Sequence, residues 1–112
     1  MRIGDVLDGR SFDPDSGIYL VRSGDVMIYI GKNTQITNRI RHGHKNRNTP
    51  LWQTIQDNRP ASLDWDVEVM VVESEDPELL QYRTRAVEAE LIRKHEPYLN
   101  VAYNPAAWRE RT

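Results

Sequence analysis

Two short apolar runs on either side of a serine-glycine pair dominate the first third of the chain. GIYLVR, from Gly17 to Arg22, and VMIYI, from Val26 to Ile30, are rich in β-branched and aromatic residues around Ser23-Gly24, the pattern of a β-hairpin. Both runs are too continuously apolar for a sheet with one fully wet face. They predict a small antiparallel sheet covered by helices on at least part of both sides. Phe12 to Ser16 reads as a loop, because Asp13-Pro14-Asp15-Ser16 joins a helix breaker to side chains that bond their own backbone. Gly31 is expected to end the second strand. Ile36 to Arg41 then forms a short helix with Ile36 and Ile40 one turn apart, Thr34 as candidate cap and Gly43 as its stop.

Pro50 opens LWQTIQDN, a second short helix with Leu51, Trp52 and Ile55 on one side, ending before Pro60. Trp65 to Val72 alternates and then turns fully apolar, which suits a third strand. Asp76-Pro77 begins a longer helix that runs to about His95, with Leu79, Leu80, Tyr82 or Arg83, Ala86, Val87, Glu90 or Leu91 and Lys94 near one stripe and Glu88 and Ile92 one turn apart on a neighbouring line, and Pro97 closes it. The tail YLNVAYNPAAWRERT carries turn chemistry at Tyr103-Asn104-Pro105 and a Trp108 available to pack back. A length of 112 residues predicts one domain spanning 1–112.

Composition narrows the chemistry. The chain has no cysteine, which removes disulfides, thiol nucleophiles and thiolate metal sites and fits a reducing compartment. MRIGDVLDGR lacks an apolar core of signal-peptide length, and no later run approaches the roughly 20 apolar residues of a membrane helix. A soluble, cytoplasmic protein with no membrane partner is expected. The formal net charge is only -2, but its distribution is uneven. Lys32, Arg39, Arg41, Lys45 and Arg47, with His42 and His44 among them, fall in a stretch without an acid, whereas Asp64 to Glu90 is strongly acidic. A polyanion could meet the first segment and would be repelled by much of the second. Two solvated faces of opposite sign would give the same bias.

Candidate chemistry is sparse. Glu88 and Glu90 are two apart on a helix, hence about 200° apart, and cannot share a site. Glu88 precedes Leu91 and Ile92 by three and four residues, beside the face that meets the sheet, where an acid is costly unless paired or bound to a metal. A structural ion pair and a ligand or catalytic role both remain open for it. His42 and His44 have no partner at recognisable zinc spacing. No phosphate-binding glycine loop, dinucleotide fingerprint or nucleophile elbow is present.

The order of particular residues carries a resemblance. Gly17-Ile18-Tyr19, then Tyr29-Ile30-Gly31 after the hairpin, then Lys32 and Arg39, then Glu88 with Leu91-Ile92, and finally Pro97 and Asn100 together resemble the GIY-YIG nuclease family, over Gly17 to Asn100. That resemblance implies an α/β (α+β) domain with a three-stranded antiparallel sheet flanked by helices, hydrolysing phosphodiesters in DNA with Mg²⁺ or Mn²⁺. Known relatives include the incision module of bacterial nucleotide-excision DNA repair, homing and restriction endonucleases, and small stand-alone proteins. By the same resemblance Tyr19, Tyr29, Arg39 and Glu88 are the catalytic positions. Glu88 is the metal ligand, Asn100 a supporting residue and Lys32 a basic position found in some members. Many relatives have a tyrosine or histidine four residues beyond the arginine. Here that position is Gly43, flanked by His42 and His44.

These residue types suit the reaction. Arg39 offers a rigid fork of donors to non-bridging oxygens and Lys32 a mobile charge, with Lys45 further along the same basic segment. Glu88 would anchor one hydrated divalent ion. Tyr19 would take the proton from the attacking water, with Lys32 and Arg39 favouring its phenolate, since a free tyrosine has a pKa of about 10. Tyr29 shares that relay, holds a phosphate, or packs as a sheet aromatic. Gly31 is expected to swing the backbone from sheet to helix without a β-carbon in the way. One such centre nicks one strand, and double-strand cleavage would call for a homodimer or repeated binding. The rival readings are a nucleic-acid-binding module of the same fold without turnover and a protein-interaction domain using the acidic face and Trp108.

Overall fold

The computed structural model describes residues 1–43 and 49–103. Helix α1 (Ile3–Leu7) precedes the hairpin strands β1 (Gly17–Ser23) and β2 (Val26–Asn33). Helices α2 (Ile36–His42) and α3 (Pro50–Asp57) follow, then a 3₁₀ turn over Ala61–Asp64 and strand β3 (Asp66–Met70). The long α4 (Pro77–His95) and the short α5 (Tyr98–Tyr103) complete the order. The strands form one antiparallel sheet in the order β2-β1-β3, flanked by helices. This is the small three-stranded α+β arrangement that the residue pattern and the resemblance imply. No helix among the described residues is long and apolar enough to cross a membrane.

Both faces of the sheet are covered, as two continuously apolar strands require. On one face Tyr19, Val21 and Val67 pack with Ile3, Val6, Ile36, Ile40, Ile55 and Leu99 from the helices. On the other, Ile18, Leu20, Met27 and Ile30 meet half-buried Val87, Leu91 and Ile92 of α4. A register shift between Val21 and Arg22 inserts one extra residue opposite β1, the local kink of a β-bulge.

The sheet edges are also occupied. Beside β3, the Val67 amide donates to the Met1 carbonyl at 2.7 Å and the Ile3 amide to the Trp65 carbonyl at 2.9 Å. Beside β2, the Asn100 side chain takes the place of a fourth strand: Oδ1 accepts from the Ile30 amide at 2.9 Å and Nδ2 donates to the Ile30 carbonyl at 2.9 Å. Edges filled in this way are closed to pairing with another chain at those positions.

Several expectations need correction. Gly31 does not end β2, which continues to Asn33. Strand β3 is shorter than the Trp65 to Val72 run. Helix α1 has only five residues, too few to declare a period, and α5 replaces the first part of the expected tail turn. Trp108 and the Asn104-Pro105 turn lie outside the described residues. On α4 the inward side is Val87, Leu91 and Ile92, while Leu79 and Tyr82 are exposed.

The cap of α2 is also not Thr34. Gln35 holds the cap position without a side-chain bond, and Asp15 does the capping from the preceding loop. Its Oδ1 accepts from the Thr37 amide at 2.7 Å and from the Thr37 hydroxyl, and its carbonyl accepts from the Ile36 amide at 2.9 Å. The Thr37 hydroxyl oxygen in turn accepts from the Phe12 amide. The helix carrying Arg39 is thus moored to the loop that opens β1. Asp15→Ala is predicted to destabilise the fold by about 1–3 kcal/mol, the scale for a half-buried donor left unsatisfied. A urea midpoint that falls with an unchanged slope is the expected readout.

Candidate active site

β1 and β2 pair so that Tyr19 faces Gly31 and Val21 faces Tyr29. Side chains alternate along a strand, so Tyr19, Tyr29 and Gly31 share one face. The two tyrosine rings lie 5.7 Å apart between centroids with a 45° tilt. A β-carbon on Gly31 would come within 2.6 Å of Tyr29 Cε2 and 2.9 Å of the Tyr19 Cζ and hydroxyl. Gly31 is therefore required by the two rings that meet over it, a different reason from a sheet-to-helix swing. Gly17 has its own constraint, with φ of 136° and the Met70 carbonyl oxygen 2.5 Å from where a β-carbon would stand.

Tyr19 is almost wholly buried, and Arg39 and Tyr29 are half-buried beside it. Burial pushes the Tyr19 phenol far up from its ordinary value, and the neighbouring Tyr29 adds to this. The charge of the nearby Arg39 guanidinium opposes both. Tyr29 is also raised, first by burial and further by the negative charge of Glu88, while its hydrogen bond with Tyr19 and the charge of Arg39 pull it back. Burial therefore holds both phenols in the neutral form, with Arg39 opposing it at each. The expected help of Arg39 to Tyr19 is present, but burial is the larger influence.

Tyr19 on β1, Tyr29 on β2 and Arg39 on α2 come together here, and Glu88 on α4 is near enough for its charge to act on Tyr29. The others are distributed differently. Lys32 alternates with Gly31 and so projects to the opposite face of β2, with Ile30. Asn100 bonds the backbone of Ile30, between Tyr29 and Gly31, and so holds the strand rather than Glu88. His42 is exposed at the end of α2, in a cleft of about 340 Å³ with Trp52, Gln56 and Arg59. His44 and Lys45 lie outside the described residues. Arg41 is committed to structure, donating from Nε to the Val6 carbonyl and from Nη2 to the Arg10 carbonyl, each at 3.0 Å.

Gly43, at the end of α2, is packed by Trp52 of α3. A β-carbon there would stand 2.9 Å from Trp52 Cγ. The trace of this contact in the sequence is only the apolar side of Pro50 to Asp57, on which Trp52 reads as a core residue.

The chain is 32% identical over 97 residues to UvrABC system protein C of Acaryochloris marina, covering 82% of this chain and 13% of that protein. It is 34% identical over 91 residues to the protein of the same name from Trichormus variabilis, 79% of this chain and 13% of that one. The protein of that name from Prochlorococcus marinus is 31% identical over 101 residues, 89% of this chain and 14% of its own. At the level of a domain, this chain is homologous to UvrABC system protein C. That homology supports assignment to the GIY-YIG family at the same level. The chain spans only about 13% of the length of the first relatives it matches. No family model matches it, and no solved structure does.

The buried phenols have a measurable consequence. An unfolded chain releases tyrosine protons near pH 10, whereas the folded pair holds them to higher pH. Their contribution to stability is therefore complete below about pH 10 and is lost as pH rises from there through the folded values. Tyr19→Phe is predicted to flatten this alkaline loss, measured as urea unfolding free energy at pH 8 and pH 11. Gly31→Ala is predicted to lower stability by about 1–3 kcal/mol through overpacking against the rings, with a changed tyrosine near-ultraviolet circular dichroism signal.

Proposed function

We propose that this chain is a divalent-metal-dependent endonuclease that hydrolyses DNA phosphodiesters, nicking one strand per active site. The observation that carries the reading is the convergence of two tyrosines, an arginine and a carboxylate from four separate elements, in a chain homologous over most of its length to part of UvrABC system protein C.

Among the described residues, no group of three histidine, cysteine, aspartate or glutamate side chains gathers to cage an ion. A single carboxylate is the donor set that a magnesium-type ion accepts when it keeps several waters and shares substrate phosphate oxygens. Glu88 is the residue proposed to hold Mg²⁺ or Mn²⁺. Such an ion, when bound, neutralises phosphate charge and stabilises the departing oxygen.

The chain's own residues supply the rest. Arg39, beside Tyr19, is proposed to bond a non-bridging phosphate oxygen, since a guanidinium presents five donors in a fixed fork. Proton transfer belongs to the tyrosine pair. Tyr19, whose burial Arg39 opposes, takes the proton from the attacking water, and Tyr29, its ring 5.7 Å away, shares the relay. Asn100 is a positioning residue, fixing the peptide between Tyr29 and Gly31. Double-strand cleavage would then need a second copy or a second encounter.

Purified protein incubated with supercoiled plasmid and Mg²⁺ or Mn²⁺ is predicted to give nicked circles. Glu88→Ala and Arg39→Ala should each slow the rate by about 100-fold or more, the scale for removing a group that stabilises transition-state charge. Absence of variant-sensitive nicking on supercoiled, linear and branched DNA would overturn the proposal. Salt-dependent binding without cleavage, indifferent to Glu88→Ala, would favour a binding module instead.

A further inference from the structure

Lys32 is on the wrong face of β2 to serve the phosphate that Arg39 would hold, yet it is not idle. It lines a cavity of about 610 Å³ between the Pro14–Gly17 loop, the ends of β2 and β3, and α4. Arg85 supplies a second positive charge there, Thr84 and Gln81 offer polar groups, and Val71 with Leu80 gives an apolar wall. No acid lines the cavity among the described residues. An apolar surface with a few convergent polar groups, at a volume of several hundred cubic ångströms, is the general form of a small-ligand site. The paired cations call for a phosphate, and the valine and leucine surface suits the flat, weakly hydrated face of a base.

The cavity also adjoins the candidate active site. Thr84 and Arg85 precede Glu88 by four and three residues on α4, so all three share a side of that helix. At about 1.5 Å of rise per residue this is roughly 4.5–6 Å along the axis, the scale of one to two nucleotide steps of about 3.4 Å each.

We infer that this cavity is a subsite for a nucleotide adjoining the cleaved bond, its phosphate between Lys32 and Arg85 and its base against Val71 and Leu80. A base seated there cannot remain stacked in a duplex, so the strand entering the site is single-stranded or splayed at that position. The inference rests on the endonuclease reading for its orientation and names the form of substrate that reading leaves open. Lys32 and Arg85 become binding residues for the flanking nucleotide.

The test is fluorescence anisotropy of the full chain with a labelled single-stranded deoxyoligonucleotide of about 12 nucleotides and with its duplex, in EDTA to prevent turnover. The wild type is expected to bind the single strand more tightly. Lys32→Ala and Arg85→Ala should each weaken that binding about 3- to 10-fold and reduce the slope of log K against log salt by about 0.7. Val71→Ser should weaken it with the slope unchanged. All three side chains are exposed, so unchanged melting temperatures are expected. Single-strand affinities unaltered by all three substitutions would overturn the inference, as would equal losses on duplex and single strand. A free nucleoside monophosphate binding as tightly as the oligonucleotide would also overturn it. Glu88-dependent nicking alongside unaltered variant affinities removes the subsite and leaves the endonuclease reading standing. Variant-sensitive single-strand binding without any nicking removes that reading and retains the nucleotide site.

Discussion

Everything proposed for this chain depends on one cross-strand pair, Tyr19 opposite Gly31. Their register leaves a gap where a β-carbon would be, and two tyrosine rings close over it. A slip of one residue would send both phenols to the other face of the sheet, where Ile18 and Ile30 now pack. The register is protected on both sides. Ile18, Leu20 and Ile30 are committed to the α4 face, and Tyr19 and Val21 to the face beneath α1, α2 and α3. Asn100 adds an external clamp by bonding both backbone groups of Ile30, the residue between Tyr29 and Gly31.

The same burial that holds the phenols in place makes them reluctant to ionise. A buried charge is costly, and Arg39 offsets only part of that cost. The site is therefore organised around two neutral tyrosines whose rings pack against each other. Positive charge brought close by a bound ion or retained by Arg39 favours the phenolate, whereas the negative Glu88 opposes it at Tyr29. Neutralising Glu88 would remove that opposing charge from Tyr29.

Much of the hairpin, α2, α3, β3 and α4 was legible because each announces itself locally, through apolar runs, Gly and Pro punctuation or periodicity. Residues that were not legible act across long stretches of chain. Asp15 caps a helix 22 residues away, Asn100 mends a strand 70 residues away, and Trp52 fills the space above Gly43 from another helix. The short α1 lies below the length at which a period can be read. For the candidate site, residue order singled out Tyr19, Tyr29, Arg39 and Glu88, which come from four separate elements. It could not assign faces, and so it grouped Lys32 with Arg39 although strand alternation puts them on opposite sides of β2. Splitting the two cations turns one basic patch into two places for phosphates, one on each side of the scissile bond's proposed position.

The central claim is that the buried tyrosine pair, Arg39 and Glu88 serve a single phosphate. Crystals soaked with Mn²⁺ and a short deoxyoligonucleotide test it most directly through the anomalous signal of the ion. The account predicts a manganese peak on the Glu88 carboxylate, with a phosphate oxygen shared between that ion and the Arg39 guanidinium. A peak held elsewhere, or a phosphate bound by Arg39 with no ion on Glu88, would contradict it.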